Sequence, residues 1–349
     1  MSPTTTPAPL HRPPAAVRRT AFAALAVSFV HIVFGGIVRI SGSGLGCGEH
    51  WPRCADPLTG QLYWFPPFDR PTLVVEWTHR LLAAILISAV VALVLVAAAH
   101  RREAGVRGRG GVLRSAGLAL ALVLCAAVFG AVTVFYGNPA WATVVHKGIA
   151  ASLLATLAVA VIRAGGLGGA RAVVQSASAR AGRGAAVAAG LAFLAVLLGA
   201  LTAKVAGAAI ACTGFPLCGA GSIPGLEHLQ LTHRVVAYLL AFHILGLTIG
   251  FTRRREAGAV LAAVRVAMAV VVLQIGLGAA MVLSHFPTVL RSAHQANGIV
   301  LWLTTFVTAY LARVASGATT PAFALPQAAT PDVTTPTDQL PVLAMERGR

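Results

Sequence analysis

The segment EWTHRLLAAILISAVVALVLVAAA, residues 76–99, decides the fold. From Leu81 to Ala99 it carries no charged side chain, and it is long enough to cross the hydrocarbon core of a membrane as one helix. At the entrance of this helix, Glu76 and His79 share a face and lie about 4.5 Å apart along the axis. Ionisable groups are expensive to hold at such a position, so this segment also predicts a functional site.

The composition extends this prediction to the whole chain. Of the 349 residues, 57% are hydrophobic and only 11% are charged, which excludes an ordinary soluble domain. The apolar runs have helix length and lack the alternation of barrel strands, so we expect an all-α integral membrane protein. Eight membrane-spanning helices are predicted, over about residues 21–38, 73–99, 118–135, 141–162, 184–203, 227–251, 266–283 and 289–312.

The distribution of basic residues predicts the orientation in the membrane. Arginines fill the N-terminal leader and the loops after the second, fourth and sixth spans, whereas the opposite loops hold only Arg53 and Arg70. Because basic loops stay in the cytoplasm, both termini are expected there. The net charge of +17 therefore reflects topology, and no nucleic-acid partner is expected. Residues 1–19 and 314–349, rich in Pro and Thr, are predicted to be a disordered leader and a disordered tail.

Two parts of the chain repeat the same features in the same order. Arg39 stands eight residues before Cys47, and Lys204 stands eight residues before Cys212. Thr-His-Arg occurs at 78–80 and again at 232–234. The spacing of Gly130, Pro139 and His146 is repeated by Gly278, Pro287 and His294. The repeat predicts two four-helix halves, residues 20–163 and 184–313, joined by a cytoplasmic linker, residues 164–183. Since each half has an even number of spans, both have the same topology, and the pseudo-twofold axis runs along the membrane normal.

One repeated histidine falls near the outer end of every even-numbered span. His79 and His146 are expected at similar depth in the first half, and His233 and His294 in the second. Zinc or copper usually takes three or four protein ligands, and the cysteines that could add a thiolate lie in loops. Two histidines on separate helices of a bundle instead suit axial ligation of haem iron. The alternative is that each histidine only hydrogen-bonds a neighbouring helix.

Two further histidines, His31 and His243, have no counterpart in the other half. We expect them to be satisfied interior or interface residues. Arg39 and Lys204 break the positive-inside trend at equivalent places. Either they pair with haem propionates, or they extend towards the membrane interface.

The cysteines and one substitution complete the candidate site. The first outer loop of each half contains a pair of cysteines, Cys47 with Cys54 and Cys212 with Cys218. One disulfide per loop is expected outside the membrane, with a redox-active pair as the alternative. Three residues before the first histidine, the first half has Glu76 and the second has Gln230. Only the carboxylate can carry a proton or a charge, so the first half is predicted to be the reactive one.

Five segments together resemble the haem A synthase family over about residues 20–313. They are CGEHWPRC (47–54), EWTHR (76–80), TVVHKG (143–148), LTHR (231–234) and RSAHQANG (291–298). The resemblance implies a bacterial membrane oxidoreductase that oxidises the C8 methyl of haem O to a formyl group by successive hydroxylations. The product, haem A, serves terminal oxidases, and paired loop cysteines are a further feature of the family.

The resemblance also implies that the two halves bind different haems. It assigns the substrate haem O to the first half, with Glu76, His79 and His146, and a haem b cofactor to the second, with His233 and His294 as iron ligands. A haem O synthase, an unknown electron acceptor and membrane lipid are the expected partners.

The residues alone leave two alternative functions open. One is a di-haem b protein that passes electrons from quinol. The other is a transporter built from a parallel repeat, although the broken midplane helices typical of such sites are not evident.

Overall fold

The computed structural model describes residues 12–219 and 223–324. Within these residues the chain is almost entirely helical. The helices are α1 Ala15–Ile40, α2 Pro71–Ala99, α3 Val112–Phe135, α4 Ala140–Arg163, α5 Gly169–Val173, α6 Ala179–Lys204, α7 Glu227–Arg253, α8 Gly258–Leu283 and α9 Thr288–Ala315. All except the short α5 are long and apolar enough to cross a membrane, which gives eight candidate spans in the described part of the chain. The predicted fold class is confirmed.

Several helices begin earlier than the sequence predicted. α1 begins at Ala15 and α3 at Val112, six residues before each predicted start. Hydropathy marks the membrane core, but the helices continue past it because their apolar faces still find packing partners. Val17 and Val112 are both fully buried. Residues 15–19 therefore belong to a helix, not to the predicted disordered leader, whereas residues 1–11 lie outside the described residues.

The chain after α9 also differs from the predicted disordered tail. Residues 316–324 fold back against the loop between α2 and α3, where the backbone N–H of Ala322 donates to the carbonyl of Gly110 at 3.1 Å. The side chain of Phe323 is only 3% exposed. An isolated Phe in a Pro/Thr-rich segment gives no periodic signal, so this docking is decided by the tertiary structure. Residues 325–349 lie outside the described residues.

The eight long helices pack in two groups of four. α1 to α4 pack in a closed ring, each against the next and α4 against α1, and α6 to α9 do the same. The two rings meet through α1 and α4 on one side and α6 and α9 on the other. At this junction the indole N–H of Trp302 on α9 donates to the carbonyl of Ala151 on α4 at 3.0 Å. The centre of the protein is therefore the α4–α9 contact.

The first outer loop contains the only strands in the described residues. β1 Cys54–Ala55 pairs antiparallel with β2 Leu62–Tyr63, so that Cys54 lies opposite Tyr63. Asp56 closes the intervening turn by accepting the backbone N–H of Leu58 at 2.8 Å. This hydrogen bond is the main reason why the pKa of the Asp56 carboxyl lies below its usual value. The hairpin gives the loop a defined shape above the first half.

Candidate functional site

Each repeated histidine faces a glycine on the long helix that precedes its own. A Cβ added to Gly35 would lie 3.0 Å from the ring of His79, and one added to Gly130 would lie 3.5 Å from that of His146. In the second half, a Cβ added to Gly199 would lie 3.0 Å from His233, and one added to Gly278 would lie 3.2 Å from His294. A side chain at these positions would displace the imidazole at three of the four. The four glycines therefore let each ring lie directly against a neighbouring backbone.

These histidines line two adjoining cavities. The larger, of about 990 Å³, lies in the first half and is lined by His79, His146 and Glu76. The smaller, of about 330 Å³, is lined by His233 and His294, and it reaches His79 and His146 as well. The four histidines predicted from the repeat therefore line two cavities that share several of their lining residues.

The rings of His146 and His233 hydrogen-bond the backbones of Ala126 and Ala195, but one nitrogen in three of the four rings is left without a partner among the described residues. The Nδ1 atoms of His79, His146 and His233 are buried and have no hydrogen-bond partner among the described residues. Most buried polar atoms in proteins are hydrogen-bonded, so each exception requires an explanation. Paired imidazoles in a largely apolar cavity fit a haem, which takes two axial nitrogen ligands and fills apolar space. No group of three or more His, Cys, Asp or Glu side chains in the described residues is placed to hold a bare metal ion.

His31 belongs to the site, contrary to its prediction as a satisfied interior residue. Its ring stacks on that of His79, with centroids 4.3 Å apart and planes 11° from parallel, and its Nε2 atom is buried without a partner in the described residues. The available signal was its position one helical turn before Gly35, on the same face of α1. His243, in contrast, lies 2.9 Å from the carbonyl of Gly184 through Nε2, as expected of a satisfied residue.

Glu76 and Gln230 occupy equivalent positions and make the same contact. The backbone N–H of Cys47 donates to Glu76 Oε2 at 2.9 Å, and that of Cys212 donates to Gln230 Oε1 at 2.7 Å. The other oxygen of Glu76 forms an ion pair with Arg80, and the carboxylate is only 3% exposed. Both residues therefore anchor an outer loop to a helix, and the halves differ in the charge at this anchor.

The arginine of each Thr-His-Arg repeat donates hydrogen bonds to carbonyl groups of the same outer loop. Arg80 Nη1 donates to the carbonyls of His50 and Arg53, both at 2.6 Å. Arg234 Nη1 donates to those of Gly214 and Leu217, both at 2.8 Å. The structure thus explains why histidine and arginine are adjacent, since one faces the cavity and the other fixes the loop above it. Sequence reasoning did not identify this role for the arginine.

Both predicted disulfides are formed, one in each outer loop. Cys47 is bonded to Cys54, and Cys212 to Cys218. Cys47 and Cys212 are also the residues whose backbone N–H groups are anchored by Glu76 and Gln230. Each disulfide therefore closes a short loop that is tied to the helix carrying the first histidine of its half.

Basic side chains line the cavities near the histidines. Arg39 and Lys204, predicted as propionate partners, are joined by Lys147 and Arg291. Among the described residues none of these four pairs with a carboxylate. Arg39 instead crosses between the halves, and donates to Gln295 Oε1 at 3.3 Å and to the carbonyl of Ala203 at 3.4 Å. The site therefore offers unpaired positive charge to an anionic ligand group.

Comparison with known proteins connects this geometry to one family. A family model described as cytochrome oxidase assembly protein, COX15-CtaA, matches residues 57–158 and 156–306. A haem A synthase of Shouchella clausii is 28% identical over 279 residues, which is 78% of this chain and 89% of the relative. A haem A synthase of Symbiobacterium thermophilum is 32% identical over 255 residues, 69% of this chain and 76% of the relative. A protohaem IX farnesyltransferase of Thermus thermophilus is 35% identical over 105 residues, 30% of this chain and 16% of the relative.

Proposed function

This chain belongs to the COX15-CtaA family of cytochrome oxidase assembly proteins, and we propose on that premise that it is a haem A synthase. It oxidises the C8 methyl group of haem O to a formyl group by successive hydroxylations and loss of water. The observation that carries this proposal is that two histidines from each half line adjoining, largely apolar cavities. Two such pairs allow one half to hold a substrate haem and the other a cofactor haem.

The first half is the substrate site. The cavity of about 990 Å³, which is lined almost entirely by the first half, suits haem O, whose long farnesyl tail needs additional apolar space. His79 and His146 hold the substrate iron, and the stacked ring of His31 restricts the orientation of His79. Orientation of the methyl group and exclusion of water are the contributions of the protein to this reaction.

The second half holds haem b through His233 and His294. Bound there, haem b supplies the one-electron chemistry that no amino-acid side chain of this site provides. Arg39 and Lys204 pair with propionates, since both line the cavities and neither is neutralised by a carboxylate of the described residues. Arg39 also contacts Gln295, next to His294, so its charge would be available to an anionic group of a haem held by either half.

Glu76 provides the negative charge that distinguishes the reactive half. It lines the substrate cavity and forms an ion pair with Arg80. There it accepts a proton released during hydroxylation or stabilises positive charge that develops on the substrate. Gln230 keeps the loop anchor in the second half and provides neither function.

The protein lies in the bacterial cell membrane with both termini in the cytoplasm. Its histidines, disulfides and substrate cavity then lie towards the outer face, where disulfides persist. A haem O synthase supplies the substrate, and an electron acceptor outside this chain completes the oxidation.

The decisive experiment is co-expression of this chain with a haem O synthase in a host that lacks haem A. Haems are then extracted and identified by chromatography and mass. We expect haem A only when this chain is present, and we expect His79→Ala to abolish it. If only haem b is recovered, with His233 and His294 still binding it, the protein is a membrane electron carrier and the proposal is wrong.

A further inference from the structure

The cavity of about 990 Å³ reaches the lipid-facing side of α2. Leu81 and Ala84 line this cavity and are also exposed on the outside of the protein. Both belong to the apolar run of residues 81–99, so an opening beside them faces hydrocarbon and not water. On the loop side of the opening, Leu62 and Trp64 line the same cavity and are 50% and 84% exposed. We call the opening between these four apolar residues the side window.

The second half carries a large side chain at the equivalent position. Ala84 and Tyr238 each stand five residues after the first histidine of their half. The hydroxyl of Tyr238 donates to the carbonyl of Pro216 at 2.8 Å, and its ring lies edge-on to that of Phe215 with centroids 6.5 Å apart. In addition to the arginine contact that both halves share, this side chain joins α7 to the outer loop. An alanine ends at Cβ and cannot make that connection.

The position three residues earlier differs between the halves as well. Leu81 lines the cavity of the first half, whereas Val235, its equivalent, is 53% exposed and lines neither cavity. Tyr238 lines the smaller cavity and is only partly exposed, so it stands between that cavity and the lipid. The two halves therefore share their histidines and loop anchors but differ in the opening beside this helix.

The two haems of the proposed function differ in the part that such an opening would select. Haem O carries a long farnesyl tail, and haem b carries none. The tail is apolar, so it can lie in hydrocarbon without a desolvation cost. The side window is bordered by apolar side chains and leads to hydrocarbon, which suits the tail and does not suit a propionate.

We propose that the side window lets the isoprenoid tail of the substrate haem pass into the lipid, and that Ala84 and Tyr238 determine which half accepts a haem with a tail. With Ala84 the first half admits the tail, and with Tyr238 the second half excludes it and keeps haem b. Specificity of this kind uses a steric barrier against the wrong ligand as well as room for the right one. The inference rests on the proposed function for the assignment of the two haems to the halves.

The test counts haems in the purified protein after co-expression with a haem O synthase. Ala84→Tyr places in the first half the side chain that closes the second. We expect the farnesylated haem per protein, haem O plus haem A, to fall about tenfold or more, because the tail loses its space. The haem b content should stay at the wild-type value, which shows that the variant is folded and that its second half is intact.

The matched control is Ile85→Tyr. Ile85 is the next residue of α2 and is 43% exposed, but it lines neither cavity. The same new side chain on the same lipid-facing surface should leave both haem contents at wild-type values.

The reverse substitution is made in the His79→Ala variant, in which the substrate site is disabled. Adding Tyr238→Ala should let the second half take farnesylated haem in place of haem b, so that more farnesylated haem is bound than by His79→Ala alone. Tyr238→Phe keeps the ring and should give no such gain. Misfolding cannot produce a gain of binding, so this arm is independent of the stability of Ala84→Tyr.

A wild-type content of farnesylated haem in Ala84→Tyr, or no gain on adding Tyr238→Ala, would overturn the proposal. Binding is counted whether or not haem A is made. A wild type that binds haem O without oxidising it would therefore refute the synthase assignment alone, while the side window would still be judged from the haem contents of the variants.

Discussion

The smallest functional unit of this protein is a histidine packed against a glycine of the neighbouring helix. It occurs four times, and in the tightest pairs, Gly35 with His79 and Gly199 with His233, an added Cβ would lie 3.0 Å from the ring. The glycine sets how far the imidazole can withdraw from the cavity. A methyl group there would push the ring towards the space that a haem would fill.

Gly199→Ala tests this unit in the second half. The new methyl group displaces His233, so we expect haem b retention to fall by about tenfold or more. The control is Gly190→Ala on the same helix, where an added Cβ meets nothing within 4 Å. That substitution should keep the haem and stabilise α6 by up to about 1 kcal/mol. Haem content per protein after purification measures both, and a wild-type content in Gly199→Ala would refute the role of the glycine.

Glu76→Gln tests the charge at the loop anchor separately from the anchor itself. Glutamine already holds the Cys212 loop from the equivalent position, so the variant should retain the Cys47 hydrogen bond and the loop structure. We expect haem A formation to fall about 100-fold or more, as for loss of a group that transfers a proton. Haem analysis of co-expressing cells measures this, with disulfide formation checked by mass. Haem A formation at the wild-type level in this variant would show that Glu76 has only a structural role.

At the scale of elements, α2 and α7 each connect a cavity to an outer loop. One turn of each helix directs a histidine inwards, and the adjacent arginine donates to the loop carbonyls. The disulfide closes the same loop, and the carboxylate or amide below it anchors the backbone of the first cysteine. Loop and helix therefore form one rigid cover over the histidines.

The double variant Cys47→Ser/Cys54→Ser tests whether the first disulfide is structural. The bond closes a loop with a sequence separation of 7, for which chain entropy gives a stabilisation of about 2.5 kcal/mol. We expect a lower unfolding temperature but measurable haem A formation, since Arg80 and Glu76 still hold the loop. Thermal unfolding in detergent and haem analysis measure the two effects. Complete loss of haem A with the unfolding temperature unchanged would instead indicate a redox-active pair.

At the scale of the whole molecule, the two halves are built around shared space. α4 and α9 form the centre, Trp302 binds the backbone of α4, and Arg39 reaches from the first half to Gln295 beside His294. The cavities adjoin at this junction, so the two haems that we propose would be neighbours. This arrangement is what electron transfer between cofactor and substrate requires.

The orientation of the whole molecule is tested by a pair of single cysteines in a Cys125→Ala background, which removes the free thiol exposed on α3. Leu58→Cys lies in the first outer loop, where the native side chain is 82% exposed. Arg109→Cys lies in the exposed loop between α2 and α3. A membrane-impermeant maleimide applied to intact cells should label the first and spare the second. The reverse labelling would invert the proposed topology.

The membrane class, the eight spans, the internal repeat and both cysteine pairs could be predicted from the sequence. Hydropathy along one helix marks a span, and each cysteine pair lies within one loop, so their physical causes are local. The repeat is visible because the spacing of Gly130, Pro139 and His146 recurs unchanged at 278–294.

Contacts between side chains of different helices could not be predicted from the sequence. The stacking of His31 on His79, the hydrogen bond of Gln274 to the His294 backbone, the loop contacts of Arg80 and the docking of Phe323 each join residues far apart in the chain. None has a periodic signal, because the geometry depends on how two helices are rotated and how far they are shifted against each other. That rotation and shift come from packing of the whole bundle, which no local pattern of residues records.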